Sequence, residues 1–115
     1  MLRVRQEQMD GLAAAAEAEA DGRLVEYGRS RFREEFDAMT GGEALGLISE
    51  VRRKAKARGV TAEADIATAL DLTVMYGPDF YLDEWASDVF AVEEWGGGHK
   101  MEVLRERVRR RLPDF

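Results

Sequence analysis

From Ile66 to Tyr76 the chain carries a single charge, Asp71, in eleven residues. A run that apolar and that long predicts a helix buried on several sides. Gly77-Pro78 should end it, because glycine accepts a left-handed cap and proline cannot continue the hydrogen-bond ladder. Thr61 is the expected N-cap, with Glu63 and Asp65 placed to complement the positive end of the helix dipole. This segment is expected to be the central helix of the fold.

The other periodic segments have the same period. Ala13 to Asp21 consists of Ala, Glu and Asp, and Ala is the strongest helix former. Met9, Leu12, Ala16 and Ala20 fall on one stripe, and the pattern runs on through Leu24, Val25, Tyr27, Phe32 and Phe36. One long N-terminal helix of about 30 residues follows, with Gly22 as its expected kink or break. Thr40 and Glu43 fit a capping box for a second helix, in which Ala44, Leu47, Ile48, Val51 and Ala55 face inward and Gly59 stands just past the end. A shorter helix is expected over 82–91, with Leu82, Trp85, Ala86, Val89 and Phe90 as its apolar face. Gly96-Gly97-Gly98 reads as a flexible break before a last helix over 99–111, with Met101, Leu104, Val108 and Leu112 inward. No useful alternating segment appears, although Met1 to Val4 suits a short extended arm. The expectation is an all-α, single-domain bundle of four to five helices spanning 1–115.

Composition excludes several classes of function. With 115 residues, 45% of them hydrophobic, the chain has material for one core rather than for wholesale disorder. No apolar run approaches the roughly 20 residues needed to cross a bilayer. The first residues lack the apolar segment of a secretory signal. There is no Cys, which removes disulfide and thiol chemistry and agrees with a cytoplasmic setting. The net charge of −6 disfavours a general nucleic-acid binder, which needs excess cations facing phosphate. Basic residues gather at Arg52–Arg58 and Arg105–Arg111. No Lys or Arg lies between Arg58 and Lys100, where nine acids do. Such a segment is either a solvated face or one that steers a basic partner.

No catalytic residues, metal ligands or cofactor site are expected. His99 is the only His and sits beside three glycines, so neither a nucleophile–His pair nor a zinc site can be assembled around it. Asp79, Asp83 and Glu84 lack the alternating ligands of a calcium loop. Glu34-Glu35 and Glu93-Glu94 are adjacent, so on a helix they diverge by about 100°. Asp71 fits either a pairing with an Arg of a neighbouring helix or a contact with a partner.

The most distinctive stretch is Tyr76 to Trp95, which contains six of the ten aromatic residues, six acids and no base. One short helix cannot bury every ring. Phe80, Trp85 and Phe90 suit the core, and Tyr81 and Trp95 fit core or interface equally. Tyr81, Asp83, Glu84, Trp85, Asp88, Glu93, Glu94 and Trp95 are therefore the candidate partner-binding residues, with aromatics as anchors and acids for steering.

Three blocks also carry a family resemblance. They are Met1-Leu2-Arg3-Val4-Arg5-Gln6-Glu7-Gln8-Met9 ahead of Arg31-Phe32; Ala57-Arg58-Gly59-Val60-Thr61 with Asp65-Ile66 and Leu70-Asp71-Leu72; and Tyr76-Gly77-Pro78-Asp79-Phe80 with Trp85 and Lys100-Met101. In that order they resemble the short helical accessory proteins encoded beside adaptor chaperones and spike-tip effectors in type VI secretion loci. The resemblance implies a cytoplasmic, non-enzymatic protein that binds a protein partner, either a secreted effector or its adaptor chaperone. The expected role is a co-adaptor. The alternative is an immunity protein that binds and neutralises the cognate toxin.

Overall fold

The computed structural model describes residues 2–111, with side chains from residue 14 onward. Among the described residues the fold is all-α, without strands. The elements are α1 (Leu2–Arg31), α2 (Arg33–Asp37), α3 (Gly41–Lys56), α4 (Glu63–Tyr76), a 3₁₀ turn (Phe80–Leu82), α5 (Glu84–Phe90) and α6 (Gly97–Arg111). No described helix is long and apolar enough to cross a membrane. The chain's internal contacts group into two units, Met1–Ile48 and Ser49–Phe115.

In the first unit α1 runs unbroken through Gly22 and stops at Phe32, whose φ of −127° and ψ of 61° are not helical. The expected long helix of about 30 residues is thus present and does not break at Gly22; the break that does occur, before α2, lies ten residues beyond that glycine. The cause is packing. Phe36 of α2 turns back so that its buried ring covers Gly28 of α1, where a β-carbon would collide with it. The expected extended arm is not found: α1 is helical from Leu2, in keeping with the helix propensity of straight-chain Leu, Arg and Gln. Met1 lies outside the described residues. The start of α3 matches its sequence signature. The Thr40 N–H donates to Glu43 Oε1 at 3.2 Å, and the Glu43 N–H donates to Thr40 Oγ1 at 3.1 Å. Leu24, Val25, Phe36, Ala44 and Ile48 are buried.

In the second unit α3 ends at a glycine in the left-handed region. Gly59 has φ +79°, and the Val60 N–H reaches back to the Ala55 carbonyl at 2.9 Å, closing a Schellman motif. Ala62, not Thr61, is the N-cap of α4, and no side chain caps it; backbone donors of Asp65 and Ile66 bond the Ala62 carbonyl instead. Five successive residues of α4, Thr68 to Leu72, are buried, as a helix apolar nearly all round requires. Gly77 ends α4 at φ +99° and ψ 164°, a conformation essentially restricted to glycine. The chain then makes the 3₁₀ turn, and α5 and α6 pack on each other with α6 also against α4. Met101, Leu104 and Val108 of α6 are fully buried; Leu112 lies outside the described residues. Gly97 and Gly98 are not a flexible break but part of α6. A β-carbon on Gly97 would collide with the Gly59 carbonyl and come within 3.0 Å of Val60 Cα. The first turn of α6 therefore lies directly on the α3–α4 connection.

Gly97→Ala should destabilise the protein by about 1–3 kcal/mol, towards the upper end because backbone rather than a flexible side chain obstructs it. Gly46→Ala, in the exposed interior of α3 with nothing within 4 Å of a new β-carbon, should stabilise by about 0.5–1 kcal/mol. Urea denaturation measures both; a neutral Gly97→Ala would contradict the close contact.

Candidate functional site

The acidic and aromatic segment is divided by the 3₁₀ turn. Three residues at Phe80–Leu82, followed by an extended Asp83 (φ −66°, ψ 145°) as N-cap of α5, break the helical phase that the sequence suggests from Leu82 onward. Phe80 and Tyr81 go inward, and Leu82 goes out.

Tyr81 is thus a core residue rather than a surface anchor, at 4% exposure. Its ring stacks on Phe80 at 4.0 Å and meets Phe90 at 5.1 Å. The Arg58 guanidinium sits 4.1 Å over the ring centroid as a cation–π lid. The Tyr81 hydroxyl is sealed from solvent and has no hydrogen-bond partner. Burial pushes its pKa up to about 12, which the positive charge of Arg58 only partly offsets.

Trp85 is half-buried. Tyr76 lies 5.0 Å from its ring and Phe80 6.2 Å, while Arg111 stands 5.9 Å from the indole. Its indole N–H donates to Asp83 Oδ2 at 3.3 Å. Asp88 is held by α6: both guanidinium nitrogens of Arg107 donate to its carboxylate at 2.7 and 3.0 Å, and Arg107 also bonds the Trp85 carbonyl at 2.6 Å. The Arg107 hydrogen bond holds the Asp88 carboxyl below the ordinary carboxylate range. The segment that lacks bases in sequence is therefore roofed in part by arginines from α6.

What remains on the surface flanks α5, one group at the 3₁₀ turn before it and the other in the connection to α6. In the turn Leu82 is 71% exposed beside exposed Asp83 and Glu84. In the connection Trp95 is 36% exposed beside exposed Glu93 and Glu94, with its ring edge-on to His99 at 4.7 Å. Glu84, Glu93 and Glu94 form no ion pair among the described residues. Among the described residues, Leu45 of α3 is also an exposed large apolar side chain, at 50%. Sequence reasoning missed Leu82, because an inward position in a helix starting there is the natural reading; the one available signal was the polar pair Asp83-Glu84 directly after it, which suits a helix start.

Elsewhere, Lys54 of the first basic cluster reaches the α4 terminus, donating to the Pro78 carbonyl at 3.2 Å and lying 3.4 Å from Asp79 Oδ1. Arg105 donates to buried Thr68 Oγ1 at 2.6 Å. Asp71 is buried, at 4% exposure. His99 stands in the first turn of α6, 3.9 Å from Glu102. Among the described residues no three His, Asp or Glu side chains converge as metal ligands. Comparison with protein-family models, with curated proteins and with solved structures finds no match to this chain.

Tyr81→Phe should raise stability by about 1 kcal/mol, since it removes a buried donor without a partner. A folded-state pKa above the unfolded value of about 10 means that the neutral phenol stabilises the fold below that pH. Stability is then lost as pH rises from about 10 towards about 12. Denaturation curves across that window should show a smaller alkaline loss for Tyr81→Phe than for the wild type; equal losses would contradict the buried hydroxyl.

Proposed function

We propose that this chain is a non-enzymatic protein-binding accessory protein of a type VI secretion effector module, acting as a co-adaptor that holds an effector or its adaptor chaperone. The effector-module setting rests on the sequence resemblance. The binding role rests on one structural observation: Leu82, in the turn before α5, and Trp95, in the connection after it, are exposed, each beside acids that form no ion pair among the described residues.

That arrangement suits recognition by contact. Apolar side chains that water leaves on docking supply affinity, and the surrounding carboxylates favour a partner surface that is cationic around an apolar centre. It also narrows the anchors from the set suggested by sequence. Tyr81 is spent on the core and Asp88 on Arg107. Leu82 joins Trp95 as an anchor, and Asp83, Glu84, Glu93 and Glu94 form the acidic rim.

The test is affinity capture from the native host with tagged full-length protein, comparing wild type with Leu82→Asp and with Trp95→Ala. Wild type should recover an adaptor chaperone, with or without its effector, and each variant should bind it at least about 10-fold more weakly while unfolding normally. Recovery of neither partner, or equal binding by both variants, would overturn the proposal. Recovery of a toxin domain alone, with rescue of growth when that toxin is expressed, would replace it with the immunity role.

A further inference from the structure

We infer that His99 is a proton-operated regulator of the surface around Trp95: on gaining a proton it turns surroundings that favour a cationic partner into surroundings that do not. The inference rests on the binding role proposed above and adds a control to it.

Trp95 stands between two kinds of charge. Glu93 and Glu94 directly precede it, both exposed and without an ion pair among the described residues. His99, in the first turn of α6, meets its indole in a T-shaped contact with ring centroids 4.7 Å apart. The His99 ring is itself exposed, with Nδ1 3.9 Å from Glu102 Oε2. Solvent protons and a docking partner therefore reach the same pair of rings.

Imidazole is the side chain whose unperturbed charge changes between pH 5 and 8, and this chain has one His. The charged groups on the elements around it are of other kinds. On α6 they are Glu102 and Lys100, whose Nζ donates to the Phe90 carbonyl at 3.2 Å. From α4 comes Asp65, whose Oδ2 would lie 3.5 Å from a β-carbon on Gly98. On α5 Asp88 is held by Arg107, and the α3–α4 connection against Gly97 carries Arg58, held over Tyr81. Carboxylates, lysine and arginine ordinarily keep one charge across that range. The charge that varies beside Trp95 is that of His99.

The direction follows. Above the imidazole range Trp95 has two carboxylates next to it in the chain and a neutral ring against it. Below that range the ring against it is a cation. Glu102 offsets little of this charge, because both members of the pair are exposed. The added charge repels a cationic partner, so affinity is full at higher pH and falls as pH drops through the imidazole range. By reciprocity, a cationic partner docking on Trp95 disfavours the proton on His99.

Ion quenching of Trp95 fluorescence tests this on the full chain without a partner, and so fails separately from the binding role. Trp85→Phe leaves Trp95 as the sole indole. The difference between wild type and Trp95→Phe gives the same signal without touching Trp85. Cesium and iodide are the charged probes and acrylamide the neutral reference, at constant ionic strength. Relative to acrylamide, cesium quenching should fall on the order of 2-fold from about pH 8 to about pH 5.5, and iodide quenching should rise by a similar factor. His99→Gln should keep the higher-pH ratios throughout, and His99→Arg should show the lower-pH ratios at about pH 8. Ratios indifferent to pH, or shifting equally in His99→Gln, would overturn the inference. An adaptor or effector captured from the host should bind wild type more weakly at the lower pH and His99→Gln equally at both; equal binding by wild type would also overturn it. Failure to capture any partner would overturn the binding role alone and leave the quenching ratios to decide the switch.

Discussion

The surface of the second unit is decided by the burial of Phe80 and Tyr81. Gly77 turns the chain out of α4 in a conformation open to little but glycine, and the 3₁₀ turn that follows drives two adjacent rings inward. In a helix, adjacent side chains diverge by about 100° and rarely both reach a core. Here they do, stacked at 4.0 Å, and Leu82 is left outside. The cost is a phenol without a partner, which the cation–π contact with Arg58 partly offsets.

The electrostatic character of this region depends on the same packing. In sequence, residues 59–99 have no Lys or Arg and nine acids. In three dimensions α6 lays Arg107 onto Asp88 and sets Arg111 near Trp85, while α3 brings Lys54 to Asp79 and Arg58 over Tyr81. Bases from the two positive clusters thus answer part of the acidic segment. Among the described residues Glu84, Glu93 and Glu94 form no ion pair, and they neighbour exposed Leu82 and Trp95 in the chain. The bidentate Arg107 contact also ties α5 to α6.

Local signals were legible in the sequence because their meaning is contained within a few residues. The Thr40–Glu43 box, the Gly59 cap and the Gly77-Pro78 stop all occur where the sequence places them. The inward stripe of α3 and the apolar character of α4 follow from periodicity alone. Gly28 and Gly97 were not legible, since each lacks a side chain for the sake of a group elsewhere in the chain, Phe36 in one case and the Gly59 carbonyl in the other. Of the candidate binding residues, Asp83, Glu84, Asp88, Glu93, Glu94 and Trp95 are exposed. Tyr81 and Leu82 exchanged roles because a three-residue turn shifts the phase by less than periodicity can detect.

The central claim of the proposal is that the segments flanking α5, with Leu82 before it and Trp95 after it, form the binding surface. Hydroxyl-radical footprinting tests it most directly, on full-length protein with and without the adaptor or effector recovered from the host. The account predicts that Leu82 and Trp95 become protected in the complex while Leu45, the exposed apolar side chain of α3, keeps its reactivity. Protection of Leu45 with Leu82 and Trp95 unchanged would contradict it and move the binding surface to α3.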